Sequence, residues 1–444
     1  MSIYKECDIR GVVGDELTPV LAERIGRAVG TVMAGCRVVV AGDVRTSTPA
    51  LREALLQGLL RSPVEVLDAG IVPTPVFYDA IADHRADGGV MVTASHNPAH
   101  YNGFKLSLGA TPVTPDDIAG IADLVTSGAF ADGAGTVRDV DALEAYQRRA
   151  LGRFAPSPPL RLVVDAGNGA AAPAAPRLLR ALGHDVIELH CEVDGRFPNR
   201  SPNPSEHGVL GALQQLVRER GADLGVAFDG DGDRAVFVDR TGRVASAEEA
   251  LVVFARHLLR AGDVVVYDLK SSSVVAEQIA ALGGRSVMAR SGHAFIRTTF
   301  LREGALLAGE VSGHFFFREL GHDDAIHAAA TMAHVLGRSG SDLAAEVADL
   351  PQSVITPDLR VPWPLDERDA LLERVADAYA RYPIARLDGV RVDFHDGWLL
   401  ARKSVTEPAV TIRLEASDED ALAARRAELL EALPELAGRH PYFA

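Results

Sequence analysis

The stretch Val38-Val39-Val40-Ala41-Gly42-Asp43-Val44-Arg45 joins a β-branched run to a turn of small and polar residues, and a helical pattern over residues 49–60 follows it. The same order recurs at Leu162-Val163-Val164 before Asp165-Ala166-Gly167-Asn168-Gly169 and at Val264-Val265-Val266 before Asp268-Leu269-Lys270-Ser271-Ser272, with helical stretches over 174–182 and 274–282. Short strands that alternate with amphipathic helices indicate parallel or mixed sheets covered by helices. The three units therefore predict an α/β protein with three related domains that contain mixed sheets.

Proline-rich and turn segments mark the limits of these units. Pro156-Ser157-Pro158-Pro159 is a stiff polar connector, and Thr241-Gly242-Arg243 is a turn before a helix that starts near Ala247. After the proline-rich section 351–364, the pattern predicts a helix over 367–382, strands over 390–394, 398–402 and 409–415, and a final helix. That order predicts a smaller C-terminal α+β domain with antiparallel strands. The predicted domains are 1–150, 157–245, 246–350 and 355–444.

Length and charge restrict the class of protein. A chain of 444 residues exceeds what one hydrophobic core usually spans, and 47% hydrophobic with 24% charged residues is typical of a globular protein. The formal net charge of −16 argues against a binder of nucleic acid or of acidic membranes, which would need a basic face. An anionic substrate then requires that the cations holding it are gathered in one cleft.

Cysteine usage and the N-terminal segment indicate a cytoplasmic location. Cys7, Cys36 and Cys191 are odd in number and widely spaced, so they predict neither a disulfide framework nor a zinc site. The first ten residues carry four charged side chains, which is inconsistent with the apolar region of a signal peptide. The sequence contains no apolar run long enough to span a bilayer.

An acidic loop, Asp229-Gly230-Asp231-Gly232-Asp233-Arg234, presents three alternating carboxylates. A calcium EF-hand would need Gly at position six and Glu at position twelve, where Arg234 and Arg240 stand. The apolar runs on either side predict strands, whereas an EF-hand needs helices. Alternate side chains of such a loop share a face, and three hard oxygen ligands suit Mg²⁺. The alternative interpretation is a solvated acidic turn.

A second loop, Thr93-Ala94-Ser95-His96-Asn97-Pro98, places one serine in a polar turn after the apolar run Val90-Met91-Val92. A capping or turn serine is the alternative interpretation, and the absence of a Gly-x-Ser-x-Gly pattern disfavours a hydrolase nucleophile. The next segment, Tyr101-Asn102-Gly103-Phe104-Lys105, predicts a turn that returns Lys105 toward the loop as a general base or as a charge on phosphate. Together with the acidic loop, this serine points to phosphoryl transfer beside a divalent cation.

Two further segments have the chemistry to bind a sugar phosphate. In Gly309-Glu310-Val311-Ser312-Gly313-His314, Glu310 and Ser312 alternate along a predicted extended segment, so both can face vicinal sugar hydroxyls, and His314 is either a site residue or structural. In Arg402-Lys403-Ser404-Val405-Thr406-Glu407-Pro408, followed by Arg413, the arginines, hydroxyls and turn amides predict an anion nest. The alternative for this last segment is a basic surface turn.

These four elements, in this order, resemble the α-D-phosphohexomutase superfamily, and within it the bacterial phosphomannomutase/phosphoglucomutase branch. The match runs from Cys7-Asp8-Ile9-Arg10-Gly11 to Arg413-Leu414-Glu415-Ala416. The resemblance implies a heart-shaped molecule of four domains around a central cleft. It also implies interconversion of 1-phospho and 6-phospho hexoses, mannose and/or glucose, with hexose 1,6-bisphosphate as activator and intermediate.

The resemblance also implies roles for individual residues. Ser95 carries the phosphoryl group, and Mg²⁺ is bound by Asp229, Asp231 and Asp233 together with the phosphoserine. The other implied catalytic residues are Arg10, Lys105 and Arg234, and the implied substrate-binding residues are Lys270, His293, Glu310, Ser312, His314, Arg402, Ser404, Thr406 and Arg413. Of these, Glu310 and Ser312 read the sugar, and the last four hold the phosphate that does not react.

Three positions depart from the family pattern, and alternatives stay open. Val405 stands where the phosphate loop usually has Asn, Cys7 replaces an aromatic residue, and Ser271-Ser272 replaces a Cys-Thr pair. The alternatives are phosphoglucosamine mutase and a sugar-phosphate binder that has lost catalysis. Small hexose phosphates are the expected partners, with neither nucleic acid nor a membrane, and a monomer is expected with a dimer as the alternative.

Overall fold

The computed structural model describes residues 3–109, 111–404 and 408–444. Four sheets follow one another along the chain, and helices pack on each of them. The first three sheets contain both parallel and antiparallel pairs, whereas the fourth is antiparallel throughout the described residues. The predicted fold class is therefore confirmed.

The first unit contains the sheet that carries the serine loop. Its elements are β1 (Ile9–Val12), α1 (Pro19–Val32), β2 (Arg37–Gly42), α2 (Thr48–Leu59), β3 (Glu65–Ile71), α3 (Thr74–Asp83), β4 (Gly88–Val92), β5 (Tyr101–Leu108), α4 (Pro115–Ser127), β6 (Thr136–Asp139) and α5 (Ala142–Leu151). The strand order is β1-β5-β4-β2-β3-β6, with β2 parallel to β3 and β4. Residues 38–41 of β2 are fully buried, with alternate side chains in two different core clusters, so helices cover both faces of this strand.

The second unit contains the sheet that carries the acidic loop. Its elements are β7 (Arg161–Asp165), α6 (Ala175–Ala181), β8 (Asp185–Leu189), α7 (Gly211–Arg220), β9 (Leu224–Phe228), β10 (Ala235–Asp239) and β11 (Val244–Ala245). The strand order is β11-β10-β9-β7-β8. β7 is parallel to β8 and β9, and β10 runs antiparallel to β9, so the acidic loop is the connection between β9 and β10.

The third unit repeats the parallel core in a shorter form. Its elements are α8 (Ala247–Leu258), β12 (Val264–Asp268), α9 (Ser273–Ala281), β13 (Arg285–Ala289), α10 (His293–Glu303), β14 (Leu307–Gly309), β15 (Phe315–Phe317), β16 (His322–Asp323), α11 (Ala325–Ser339) and α12 (Leu343–Val347). The strand order is β13-β12-β14-β15-β16. One cluster of buried side chains runs through all three units, from Val39 and Phe77 to Val164, Phe254 and Phe315. The three sheets are thus held by a shared core.

The fourth unit is smaller and has a core of its own. Its elements are β17 (Val354–Ile355), β18 (Leu359–Pro362), α13 (Arg368–Ala378), β19 (Ile384–Ala385), β20 (Val390–Phe394), β21 (Gly397–Lys403), β22 (Ala409–Ala416), α14 (Glu419–Ala432) and two 3₁₀ turns (Pro434–Leu436 and Pro441–Phe443). A minor cluster of Leu269, Trp398 and Leu400 joins it to the third unit.

The predicted helices of the three repeats agree with α2, α6 and α9 to within one residue at each end. The predicted helix 367–382 is too long, because α13 ends at Ala378. Pro383 follows soon afterwards, and a proline disfavours the helical conformation of the residue before it. Along the described parts of the chain, no helix is both long and apolar enough to cross a bilayer.

Candidate active site

Ser95 lies in the loop between β4 and β5 and is 1% exposed. Its backbone is in the left-handed region at φ 49°, which is uncommon for a residue other than glycine. The hydroxyl Oγ donates a hydrogen bond of 2.9 Å to Asp229 Oδ2 and lies 3.2 Å from Nδ1 of His96. The structure therefore brings the serine of the first unit to the acidic loop of the second.

The three carboxylates of the acidic loop converge as predicted. Asp229, Asp231 and Asp233 are fully buried, and one oxygen of each lies within 4.8 Å of the others. The amides of residues 232, 233 and 234 donate to Asp229 Oδ1 at 3.0, 3.1 and 3.2 Å. Oδ1 of Asp231 and Oδ1 of Asp233 are buried without a hydrogen-bond partner among the described residues. Buried, unpartnered carboxylate oxygens beside a serine hydroxyl fit a hard divalent cation such as Mg²⁺.

Cations from the first unit and the loop itself surround this cluster. Lys105 Nζ lies 3.3 Å from Asp231 Oδ2 and also contacts Asp233, and Arg234 lies 3.8 Å from Asp229. Burial raises the pKa of Asp229, and the negative charges of Asp231 and Asp233 raise it further. Burial lowers the pKa of Lys105, but Asp231 and Asp233 outweigh it and hold that pKa well above its ordinary value. Lys105 therefore carries a positive charge in this arrangement.

The segment that carries Lys105 is not the predicted turn. Residues 101–108 form β5, which runs antiparallel to β4 and places Lys105 opposite Met91. Tyr101 and Phe104 favour a strand, and the reversal of the chain occurs earlier, between β4 and β5. The lysine nevertheless returns toward the serine loop, as an antiparallel pair requires.

Arg10 lies on β1, beside β5 in the same sheet. Its guanidinium forms an ion pair of 2.7 Å with Asp8 and donates to Asn97 Oδ1 in the serine loop at 2.8 Å. Burial lowers the pKa of His96 to about 2, and the charges of Arg234 and Arg10 contribute to the shift. The imidazole beside Ser95 is therefore neutral at physiological pH.

The segment around Glu310 is a turn and not the predicted extended segment. Gly313 N donates to Glu310 O at 2.9 Å, and Glu310 N donates to His314 O at 3.0 Å. Gly313 has φ 95°, and a Cβ there would lie 2.6 Å from Ala235 O, so glycine reverses the chain at this point. Glu310 lines the same cavity as Ser95, whereas Ser312 does not. The alternation of the two side chains therefore fails, although Glu310 Oε2 and Ser312 Oγ are both buried without a partner among the described residues.

Asp323, which no sequence motif marks, holds the two predicted histidines. His314 Nδ1 lies 2.6 Å from its Oδ2, His293 Nε2 lies 3.3 Å from its Oδ1, and Asp323 is fully buried. Arg234 Nε donates to His314 Nε2 at 3.0 Å, and Tyr78 OH lies 3.2 Å from His293 Nε2. The sequence signal nearest to Asp323 is Gly321, two residues earlier, which is typical of a turn before a short strand.

Asp233, His314 and Asp323 also lie close enough to form a second group of potential metal ligands. His314 is already engaged by Asp323 and by Arg234 at its two ring nitrogens, and Lys105 contacts Asp233. Arg234 and Lys105 therefore occupy the space in which a second ion would bind. The three aspartates of the acidic loop are therefore the better candidate.

A cavity of about 360 Å³ joins these groups, which is within the range of small-molecule sites. The predicted site residues on its wall are Arg10, Ser95, Lys105, Arg234, His293, Glu310 and His314. Cys7 also lines it, and burial raises the pKa of its thiol to about 12, with Asp8 and Glu6 adding to the shift. The first three units each contribute to this wall.

The residues predicted to hold the second phosphate lie outside the wall of this cavity. Lys270 forms an ion pair of 3.0 Å with Asp358, Arg413 lies 3.8 Å from the same carboxylate, and Arg402 lies 3.1 Å from Asp388. The backbone amide of Ser404 donates to Ala409 O, and Ser404 O accepts from Arg368. Val405 and Thr406 lie outside the described residues.

The Ser271-Ser272 departure lies where the third and fourth units meet. Ser272 Oγ donates to Glu415 Oε1 at 2.5 Å, and Glu415 is fully buried on β22. Arg391 of β20 contacts Leu269 O and Ser271 O. The turn that carries Lys270 is thus clamped by two charged residues of the fourth unit.

Known protein families match this chain along most of its length. The matches are to phosphoglucomutase/phosphomannomutase α/β/α domains I, II and III at residues 1–132, 140–242 and 246–354 and to the C-terminal domain at residues 360–432. The Pseudomonas aeruginosa phosphomannomutase/phosphoglucomutase is 40% identical over 95% of this chain and 93% of its own length. The Neisseria gonorrhoeae phosphoglucomutase is 38% identical over 95% of this chain and 94% of its own length.

A solved structure agrees with this similarity. A crystal structure of a phosphoglucomutase/phosphomannomutase family protein from Burkholderia thailandensis superimposes with a TM-score of 0.92 at 36% identity, covering 98% of this chain and 97% of that chain.

Proposed function

This chain belongs to the phosphoglucomutase/phosphomannomutase family and is a phosphohexomutase, and on that premise we propose that it interconverts the 1-phosphates and 6-phosphates of mannose and/or glucose through phosphorylated Ser95. One observation carries the proposal. The Ser95 hydroxyl lies 2.9 Å from Asp229, within a cluster of buried carboxylates that still has unpartnered oxygens. A hydroxyl in that position is placed to carry a phosphoryl group beside a cation.

The reaction transfers one phosphoryl group out and another back. Phospho-Ser95 gives its phosphoryl group to the free O6 or O1 hydroxyl, so that the Oγ–P bond and the sugar O–H bond break, a sugar O–P bond forms, and the proton passes to Oγ of Ser95. The resulting 1,6-bisphosphate turns over in the cavity, and its other phosphoryl group returns to Ser95. The isomeric monophosphate is then released, and the phosphoserine is regenerated.

Catalysis in this site consists of positioning and charge neutralisation. Asp229, Asp231 and Asp233, with the phosphoserine, would hold Mg²⁺, which would neutralise the charge of the transferring phosphoryl group. Lys105, kept charged by its aspartates, and Arg10, next to the serine loop, orient the phosphate and are the proposed proton carriers. Arg234 supplies a further positive charge beside Asp229.

Glu310 is proposed to read the sugar hydroxyls. Its Oε2 is buried without a partner among the described residues, and its side chain lines the cavity that contains Ser95. Lys270, His293, Ser312 and His314 are the other proposed substrate contacts in the third unit. In the fourth unit, Arg402, Ser404, Thr406 and Arg413 are proposed to hold the phosphate that is not reacting. The names of the Pseudomonas and Neisseria relatives support mannose and glucose as the sugars.

The remaining proposals concern partners and location. The net charge of −16 supports a protein that binds neither nucleic acid nor acidic membranes. Small hexose phosphates as partners, a monomer with a dimer as the alternative, and a cytoplasmic location are proposed with it.

A coupled mutase assay tests the proposal. Mannose 1-phosphate, glucose 1-phosphate and glucosamine 1-phosphate are offered separately, with Mg²⁺ and a trace of glucose 1,6-bisphosphate. We expect turnover of the first two, loss of turnover in Ser95→Ala, and retention in Ser107→Ala, which alters a buried serine on the neighbouring strand β5. Turnover of glucosamine 1-phosphate alone would replace the proposed substrates, and wild-type turnover by Ser95→Ala would exclude the phosphoserine.

A further inference from the structure

Arg45 follows β2 and lies beneath the serine loop, where it is 1% exposed. An arginine side chain has five N–H donors, and here each one has a partner. Nε donates to Asp43 Oδ2 at 3.0 Å. The other four donors reach backbone carbonyls of the serine loop and its end, namely those of Ser95 (2.7 Å), Asn97 (2.6 Å), Pro98 (2.7 Å) and Tyr101 (3.0 Å).

These four carbonyls determine the shape of the loop. They span it from Ser95 to the first residue of β5, and all four point toward one guanidinium. A buried carbonyl without a donor costs about 1–3 kcal/mol, so the loop needs this cation to hold its carbonyls inward. Ser95 has φ 49°, and with its carbonyl directed toward Arg45 its hydroxyl reaches Asp229. The strained backbone of the serine is therefore compensated by Arg45.

The amide side of Ser95 is tied to the same network. Ser95 N donates to Thr93 Oγ1 at 2.8 Å, and Thr93 Oγ1 donates to Asp43 Oδ2 at 2.7 Å. Asp43 also accepts from Thr48 Oγ1 at 2.7 Å and from Arg45. Both backbone polar groups of Ser95 thus lead back to one buried pair, Asp43 and Arg45.

The network also contacts the second unit at two points. The ring of Phe197 lies 5.1 Å from Arg45 Cζ, and a Cβ at Gly195 would collide with Val44 O. In the acidic loop, a Cβ at Gly230 would lie 2.5 Å from Ser95 O. The carbonyl that Arg45 holds is therefore packed against the loop that carries the metal ligands, so the guanidinium sets the distance between the serine and that loop.

We propose that Arg45 is a positioning residue for phosphoryl transfer, and that it fixes the Ser95 backbone so that Oγ meets the acidic loop. This inference rests on the proposed function, because it assigns Arg45 to the step in which Ser95 gives and receives the phosphoryl group. Arg45 does not line the cavity that contains Ser95, and it acts through the carbonyls of the loop. A displacement of about 1 Å in a reacting group can cost about 100-fold in rate.

Arg45→Lys is the test, because lysine keeps the charge but has three donors in place of five. We expect kcat to fall about 100-fold while KM stays within about threefold, because the proposed contacts to the sugar and to the phosphate that does not react lie on the third and fourth units. We also expect the phosphorylation of Ser95 by glucose 1,6-bisphosphate, followed by mass spectrometry, to slow by a similar factor.

Arg256→Lys is the matched control. Arg256 also donates to a backbone carbonyl, that of Glu346, and forms an ion pair with Asp349, but its partners lie on or next to α9 and α12 and line no part of the cavity. It should lose stability in urea denaturation without a loss of kcat. A merely structural role for Arg45 predicts the same result for both variants.

The outcomes separate this inference from the proposed function. If Arg45→Lys keeps kcat within about threefold of wild type, the positioning role is wrong. If that variant does not fold, Asp43→Asn decides in its place, because it weakens the same anchor: a fall of kcat of about tenfold supports the role, and wild-type kcat overturns it. If the wild type itself does not acquire phosphate on Ser95, the proposed function fails, and this inference fails with it.

Discussion

The turn after β2 and the turn after β12 both begin with a fully buried aspartate at the end of a parallel strand, yet only the first has an arginine beside it. Asp43 accepts from Arg45, Thr48 and Thr93, so both of its oxygens are partnered. Asp268 accepts from Ser291 and from the Lys270 amide on Oδ1, and its Oδ2 has no partner among the described residues. Equivalent turns of a repeated unit thus differ in whether an arginine pairs with the buried carboxylate and in whether both of its oxygens have partners.

This difference extends to the groups around each turn. Near Asp43, the serine loop is satisfied by the protein itself, and the unpartnered oxygens are those of Asp231 and Asp233 in the acidic loop. Near Asp268, Glu310 Oε2 is also buried without a partner among the described residues, and the carboxylates of Asp268 and Glu310 repel each other. The serine side, meaning Ser95 and the residues around Asp43, is therefore preorganised apart from the two unpartnered oxygens of the acidic loop. On the side of Asp268 and Glu310, called the sugar side below, the proposed sugar contact still lacks a partner among the described residues.

The largest effect is expected at the unpartnered oxygens of the acidic loop. Asp231→Asn removes one charge from the predicted cation site but keeps an oxygen that can accept from Thr74. We expect kcat to fall on the order of 10³-fold, because the charge that neutralises the transferring phosphoryl group would be weakly held. Mutase kinetics as a function of Mg²⁺ concentration measure this, with Asp185→Asn at an exposed site as the control. Wild-type turnover would show that the loop is not the cation site.

The second effect is a dependence of stability on pH at the turn that has no arginine beside its aspartate. Burial raises the pKa of Asp268 to about 6, and Glu310 adds to the shift. Between about pH 4 and pH 6 the folded protein therefore binds more protons at this site than the unfolded chain, so the contribution of Asp268 to stability falls as pH rises. Asp268→Asn has no charge to lose in this way. Its free energy of unfolding relative to that of wild type should therefore rise by about 2–3 kcal/mol from pH 4 to pH 7.

Urea denaturation of both proteins at several pH values measures the difference in their free energies of unfolding. Asp43→Asn is the comparison from the paired turn, and it should lose stability at every pH, because the Arg45 guanidinium would be left buried without its counter-charge. A constant difference between wild type and Asp268→Asn across the range would contradict the unpaired state of Asp268.

The third effect is on the sugar. Glu310→Gln keeps the size of the side chain but removes the charge that would accept from sugar hydroxyls. A hydrogen bond to a charged group contributes about 1.5–3 kcal/mol, so kcat/KM should fall about 10- to 100-fold for both mannose and glucose phosphates. Ser312→Ala removes the neighbouring proposed contact, which lies off the wall of the cavity, and should change kcat/KM much less. An equal loss in the two variants would mean that the turn acts as a whole and not through Glu310.

Much of the fold could be predicted because the repeats carry local signals. The strand over 390–394 follows from alternation, and the helices of the three repeats follow from helical periodicity. The structure confirms these predictions. The meeting of Ser95 with Asp229 also agrees with the expectation, since each loop has a chemistry that is incomplete without the other.

The remainder depends on contacts that have no local pattern. Arg45 serves four carbonyls about fifty residues away in sequence, and Asp323 joins two histidines from different elements. Glu310 and Ser312 were expected to alternate on an extended segment, but the left-handed backbone of Gly313 produces a turn. Backbone carbonyls as partners and the conformation of a single glycine are set by the packing of one unit on another, so a linear pattern could not reveal them.

The smallest expected effect is a gain in substrate affinity, at the cations of the sugar side that lie outside the wall of the cavity. Lys270 and Arg413, both proposed to contact the substrate, are held by Asp358 at 3.0 and 3.8 Å. A phosphate must displace that carboxylate before it can bind them. The pair is partly exposed and contributes about 0.2–1 kcal/mol, so Asp358→Asn should lower KM about two- to threefold with kcat unchanged.

Asp369→Asn, which frees the exposed Lys403 and neither of these cations, is the matched control. Titration with inorganic phosphate should show the same gain in affinity, because the freed cations recognise phosphate and not the sugar. If Asp358→Asn instead weakens phosphate binding, Asp358 orients Lys270 and Arg413 for the ligand, and the sugar side is then preorganised in the same way as the serine side.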